Sequence, residues 1–358
     1  MARVGLVGLP NVGKTTLFNA LTGLRAHTAP HPFSTVEPAV GVARVPDPLL
    51  ERLAALEHPE KMVPATLDLL DLPAMARPGS SRLGGRFLAR LREMEAVAVV
   101  LRAFEADDVP ADESGTDPVD QAEALLLELA LADLDVFARK AQKAVKEAAA
   151  DATKKAAAAA VAAAVEVLDE GRALRTAKWN EVEEAAFHDL APLTLKPAVW
   201  VVNVAEDDPQ AEDVAAAVAA VVPAGDTVVA LSAHIEEEAS RLDPAERAEL
   251  AEGFGLGEGA LARVVRATYE ALHLITFYTA GAKEVRARTV RRGTPAREAA
   301  GKVHTDMERG FIRAEVAPIT EVIAAGGWEA AKAAGRVKVE GRDYLVADGD
   351  VMLVRFSV

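Results

Sequence analysis

Near the start of the chain, Gly8-Leu9-Pro10-Asn11-Val12-Gly13-Lys14-Thr15 has residue types and spacing that could do chemistry on an anion. Two glycines with four residues between them, followed directly by Lys and Thr, make a loop whose backbone N–H groups can curl around a polyphosphate. Gly8 and Gly13 supply the backbone freedom. Lys14 adds a point charge for the terminal phosphates, and the Thr15 hydroxyl can ligate a magnesium ion.

Other stretches could complete such a site. Thr35 lies in a proline-rich loop about twenty residues further on, where nucleotide switches close on magnesium and the γ-phosphate. Lys14 and Thr35 are the candidate catalytic groups. Asp71 follows the apolar run Ala65 to Leu70, and a carboxylate at such a strand end orders the magnesium shell. Thr15, Thr35 and Asp71 are therefore the candidate metal ligands. The runs Pro197 to Val202 and Thr227 to Leu231 end in Asn203 and in Ser232-Ala233. Ligands of open α/β sheets bind at the carboxyl ends of strands, so both tails should converge on a base.

The base side reads as permissive. Asn203 can read a purine N7, which adenine and guanine share. Glu206 and Val204 stand where the guanine-reading pattern Asn-Lys-x-Asp has its Asp and Lys. The carboxylate is one carbon too long for guanine's two donors, and the stacking lysine stem is absent. Guanine selectivity should be weak and adenine admissible. His234 reads as a packed loop residue. Two residues after Pro73, Met75 precedes a glycine-rich loop, and Ala74 stands where switch nucleotidases have glycine. Alanine keeps the N–H there but loses ready access to positive φ.

The elements that must position these groups follow from pattern. Val4 to Val7 is an apolar strand feeding the loop, and Thr15 to Leu21 is a helix whose positive end faces the anion. Residues 1–117 read as the first part of a nucleotide domain, and 193–271 as its second part. Between them, 118–192 is alanine-rich, with helices expected from Val119 to Glu147 and from Asp151 to Ala173. Residues 272–358 read as a separate α+β domain with strands at 274–279, 285–290, 311–316, 344–346 and 351–356.

Composition narrows the function classes. The chain of 358 residues has no cysteine, which excludes disulfides and thiolate metal sites. No apolar run of membrane-spanning length lacks charges, so no membrane association and a cytoplasmic location are expected. The formal net charge of −15 argues against broad nucleic-acid binding but permits a local basic face. Two candidates exist. One is the insertion tip, with Arg139, Lys140, Lys143, Lys146, Lys154 and Lys155. The other is the C-terminal set Lys283, Arg286, Arg288, Arg291, Arg292, Arg297, Lys302, Arg309 and Arg313.

With these residues in view, the chain resembles the YchF family of Obg-like P-loop nucleotidases, of the TRAFAC class, over nearly its whole length. The resemblance rests on Gly8 to Thr22, Leu129-Ala130-Leu131-Ala132-Asp133-Leu134-Asp135, Leu195-Lys196-Pro197, Asn203-x-x-Glu206, Thr279 to Ala287, His304 to Val316 and Asp348 to Met352. It implies an α/β fold: a Ras-like P-loop domain, a helical coiled-coil insertion and a C-terminal β-grasp (TGS) domain. It implies a slow ATPase that also binds GTP and GDP, and that associates with the ribosome through RNA. Asn11, Val12, Gly13, Lys14, Thr15 and Thr16 would wrap the phosphates, and Val204 would lie against the base. Met75 would replace a catalytic glutamine, and Asn11 would help hold a potassium ion beside Mg2+. A rival reading is a ribosome- or RNA-binding module whose nucleotide site binds but barely turns over.

Overall fold

The computed structural model describes residues 2–25, 39–75, 84–106, 116–206, 208–242, 246 and 259–357. Thr35 and the 76–83 part of the glycine-rich loop lie outside them. In chain order the first elements are β1 (Arg3–Gly8), α1 (Lys14–Thr22), β2 (Ala39–Arg44), α2 (Pro48–Glu57), β3 (Lys61–Val63), β4 (Thr66–Asp71), α3 (Gly85–Arg92) and β5 (Ala96–Ala103). Next come α4 (Pro118–Ala150), α5 (Lys155–Asp169), α6 (Glu181–Phe187), β6 (Ala198–Val204), α7 (Ala211–Val221), β7 (Thr227–Leu231) and α8 (Ala233–Ala239). The helix Ala260–Ala271 leads to β8 (Leu274–Thr279), β9 (Glu284–Arg291), β10 (Phe311–Pro318), β11 (Lys338–Glu340) and β12 (Asp350–Phe356).

The chain divides into two compact units. One comprises Ala2–Val42 and Asp68–Ala271, the other Ala43–Leu67 and Leu272–Val358. The first is built on a sheet of order β2-β4-β1-β5-β6-β7, in which β4, β1, β5, β6 and β7 run parallel. β1, β5 and β6 are buried almost throughout, as expected of parallel strands covered on both faces. Register sets Gly8 beside Val100 and Arg102 beside Asn203. The carboxyl ends of three neighbouring strands therefore meet at one edge.

The insertion is helical. Pro118 at the first turn and the Asp117 carboxylate, which accepts the Val119 N–H at 2.8 Å, start α4. α4 and α5 join through Ala130, Phe137, Ala160, Val161 and Ala164, with Phe187 edge-on to Phe137 at 5.4 Å. The second helix begins at Lys155 rather than at Asp151. The Asp151 carboxylate instead accepts the Thr153 N–H and hydroxyl, and 152–154 form a tight 3-10 turn. The base of the hairpin is knotted to α3. Buried Asp133 accepts from Arg92, from the Leu193 and Thr194 N–H groups and from the Thr194 hydroxyl. Arg92 donates onward to the Leu190 and Ala191 carbonyls.

The second unit is a sheet of order β11-β10-β12-β8-β9-β3. On one face Tyr278, Val285, Ala287, Ala317 and Val351 pack with Leu50 and Leu53 of α2, with Ile319, Val322 and with Trp328. On the other, Ile275, Phe277, Val290, Val316 and Met352 pack with Ala296 and Ala299. Residues 43–67, read from sequence as part of the nucleotide domain, thus supply a helix and an edge strand to this unit. Two strand expectations need correction. Tyr344 to Val346 is not a strand: only Leu345 bridges, to Pro295, while the Tyr344 hydroxyl is drawn to Asp350. The edge strand β11 had no counterpart in the reading. The basic set is also split between faces. Arg286 and Arg288 pair across from Thr279 and Phe277, whereas Arg313, opposite Arg355, shares its side with Ala317 and Val351.

Candidate functional site

The loop between β1 and α1 is held in shape by its carbonyls. Gly8 O accepts the Met75 N–H at 3.0 Å, Val12 O accepts the Asn203 side-chain amide at 2.9 Å, and Gly13 O accepts the Leu17 N–H at 2.9 Å. A planar trans peptide sends the next N–H the opposite way. The Gly13 and Lys14 N–H groups are therefore directed away from these clamps, as in an anion-binding nest. Asn11 and Gly13 have φ of 61° and 86°. At Gly13 a side chain would be excluded twice over, because a Cβ would also come within 2.2 Å of the Asn203 amide nitrogen.

At the first turn of α1, Lys14 and Thr15 converge on Asp71 at the end of β4. The Lys14 ammonium donates to Asp71 Oδ1, and the Thr15 hydroxyl donates to Asp71 Oδ2 at 2.7 Å. Lys14 is 7% exposed and Asp71 0%. A buried cation, a buried carboxylate and a hydroxyl within hydrogen-bond reach form a charged cluster at a helix N-terminus. The Thr15 hydroxyl and Asp71 carboxylate are hard oxygen donors, and they fit magnesium, which takes few protein ligands and keeps water and phosphate oxygens. Among the described residues no cluster of three or more His, Cys, Asp or Glu offers an all-protein metal cage.

The strand tails expected at the base do converge. Asn203 is buried. Its amide nitrogen holds the phosphate loop through Val12, and its oxygen accepts the Ala233 N–H at 2.9 Å. Ser232 caps α8 by accepting the Ile235 N–H at 3.5 Å, and Val204, at the end of β6, is buried. Glu206 lies 3.5 Å from His234 across the two tails. His234 was expected to be packed in a loop. It is instead 63% exposed on α8, between Glu206 and Glu238. Met75 is buried, with its backbone committed to the phosphate loop.

One neighbour of the loop was missed from sequence. Arg102, at the carboxyl end of β5, is 3% exposed and its guanidinium reaches the Asn11 carbonyl at 3.4 Å. A single cation closing an otherwise apolar strand was the available signal, since the parallel register sets it beside Asn203.

Comparison with known proteins agrees with this geometry. "Ribosome-binding ATPase YchF" of Escherichia coli O157:H7 is 41% identical to the chain over 363 residues, covering 99% of each. The protein of that name from Bacillus subtilis is 37% identical over 99% of each. The chain belongs to the YchF family. "Obg-like ATPase 1" of Pongo abelii is 34% identical, over 99% of this chain and 92% of its own. The solved structure of the Schizosaccharomyces pombe YchF GTPase matches with a TM-score of 0.85 at 27% identity, covering 99% of this chain and 97% of that one. Residues 3–140 match the family model described as "50S ribosome-binding GTPase". Residues 274–357 match YchF-GTPase_C, described as "Protein of unknown function (DUF933)". A Ras-like P-loop domain followed by a C-terminal α/β domain is the YchF arrangement found here. No helix among the described residues is long and apolar enough to cross a membrane.

Proposed function

We propose that the chain is a magnesium-dependent P-loop nucleoside triphosphatase that binds ATP and GTP, hydrolyses them slowly, and acts at the ribosome as a regulator of translation or the stress response. The observation that carries this reading is the convergence of Lys14, Thr15 and Asp71 beside a loop whose carbonyls are clamped outward. The names carried by YchF relatives support it.

In the proposed mechanism Asn11 to Thr16 enclose the β- and γ-phosphates, and Lys14 leaves Asp71 for the phosphate oxygens. Thr15, Thr35 and Asp71 would hold magnesium, which when bound neutralises charge between the phosphates. Water attacks the γ-phosphate in line, and the loop amides with Lys14 stabilise the charge that develops. Met75 carries no group that could orient the water, which accounts for a low intrinsic rate. A potassium ion held by Asn11 would supply part of the missing charge. One Asn203 N–H holds Val12 and the other would read a purine N7. Val204, Glu206, Ser232 and Ala233 would surround the base. In domain terms the reading makes 118–192 a coiled-coil insertion and 272–358 a TGS domain. RNA would be met by the insertion tip or by the exposed Arg297, Lys302 and Arg309 beside Arg286 and Arg288.

Phosphate release per enzyme, with and without potassium and ribosomes, tests this against a Lys14→Ala control. No release above that control under any condition would overturn the enzyme reading. The buried Met75 favours one alternative, a ribosome-binding module that binds nucleotide with scarcely any turnover. It would bind ATP with Lys14-dependent affinity, yet remain silent in the release assay.

A further inference from the structure

We propose that Arg102 is a positioning residue of the phosphate loop: its guanidinium holds the Asn11 carbonyl so that the Val12 N–H faces the anion. This inference rests on the nucleotide reading above. Asn11 sits at φ 61°, in the left-handed region that asparagine enters more readily than most side chains, and the peptides after it are held by side chains. The carbonyl that follows, on Val12, is held by Asn203. The Asn11 carbonyl is held by Arg102 Nη1, so two successive peptides of the loop are each fixed by a side chain from a neighbouring strand.

Arg102 is built for this. Its Nε donates to the Phe104 carbonyl at 3.0 Å, and its guanidinium lies over the Phe104 ring, 4.4 Å from the centroid. Its own backbone is immobilised, because the buried Gln121 amide of α4 accepts its N–H and donates to its C=O, each at 2.9 Å. A buried guanidinium is costly unless its donors are used, and here the fork and the ring fix its plane. A lysine could keep the charge but not that plane. Burial lowers the Arg102 pKa and Glu105 counters it, and the group stays cationic behind the loop.

Competition titrations of ATP, ADP and AMP against a fluorescent nucleotide, on the full chain with magnesium, test the proposal in Arg102→Gln and Arg102→Lys. The expected result is a loss that grows with phosphate number: ATP and ADP weakened at least tenfold in Arg102→Gln, AMP changed less than twofold, and Arg102→Lys in between. A smaller folded fraction would lower the active concentration and leave the ratio of ATP to AMP affinity unchanged, so a shift in that ratio separates positioning from a general fold defect. If Arg102→Gln fails to fold, a lowered ATP-to-AMP affinity ratio in Arg102→Lys together with faster exchange of its Val12 amide supports the role, and an unchanged ratio and exchange rate overturn it. Equal losses for all three ligands, or none, with wild type and Lys14→Ala behaving as the nucleotide reading requires, would overturn the role of Arg102 alone. Wild type binding ATP no better than Lys14→Ala would overturn both.

Discussion

Each oxygen of the Asp71 carboxylate accepts a hydrogen bond, one from Lys14 and one from Thr15, so the carboxylate is tied into the cluster through both oxygens. In the proposed mechanism a bound magnesium nucleotide would exchange at least the first of these contacts for a phosphate contact. Lys14→Ala should therefore weaken ATP at least a hundredfold in equilibrium titration, while leaving the buried Asp71 without its cation. Asn203, proposed to read the base, also clamps the loop by donating to the Val12 carbonyl. Because its amide clamps Val12 and N7 is common to both purines, Asn203→Ala should weaken ADP and GDP alike, which parallel titrations of the two would read. At Glu206 the expectation is that GTP binds less than about a hundredfold tighter than ATP, a margin of about 2.7 kcal/mol. Shortening the side chain in Glu206→Asp should move the ratio toward GTP. A wild type that already prefers GTP beyond that margin would overturn the reading of this position.

The elements divide into those whose pattern is local and those whose meaning depends on a distant partner. β1, β5 and β6 are apolar apart from Arg3, Arg102 and Asn203 near their ends, and α4 repeats its apolar residues at helical spacing, so each was legible with ends off by a few residues. Asp71 was legible because an acid closing an apolar strand is itself a local signal. β3 and β11 are only 3 residues each and acquire strand character by pairing, β11 with β10 and β3 with β9 far along the chain. Arg102 carries a local signal, a single cation closing an apolar strand, but its contact with the Asn11 carbonyl depends on the fold. The knot at Asp133 is another case, with donors drawn from two segments far apart in the chain. Asp133→Ala should lower the unfolding free energy by about 3 kcal/mol or more, by leaving Arg92 without its carboxylate, as read by urea denaturation. In the second unit, Lys332, followed by Arg355, holds the Glu315 carboxyl below the usual glutamate range, against the opposing effect of burial. That stabilisation is complete above the unfolded glutamate pKa and is lost as pH falls through the lower folded value. Glu315→Gln should therefore flatten the loss of stability below about pH 4 relative to wild type, measured as urea midpoints across pH 3 to 7.

For the whole molecule, a net charge of −15 means that any contact with RNA must be local and must overcome repulsion elsewhere. Ribosome association in sedimentation should weaken steeply with added salt, as released counterions require, and the joint replacement of Arg297, Lys302 and Arg309 by alanine should reduce the slope. Insensitivity to both would remove the C-terminal basic residues from the contact. The incorporation of Ala43–Leu67 into the C-terminal unit bears on how the protein is made. Leu50 and Leu53 leave the ribosome early, while Tyr278, Val285 and Val351, which cover them, are synthesised last. At ordinary translation rates of about 5–20 residues per second, the intervening stretch of roughly 225 to 300 residues takes on the order of 10–60 s to emerge. Through that interval a nascent chain carries a helix with an uncovered apolar face, the kind of segment that holding chaperones engage. A chain cut short before Leu272 never loses that signal.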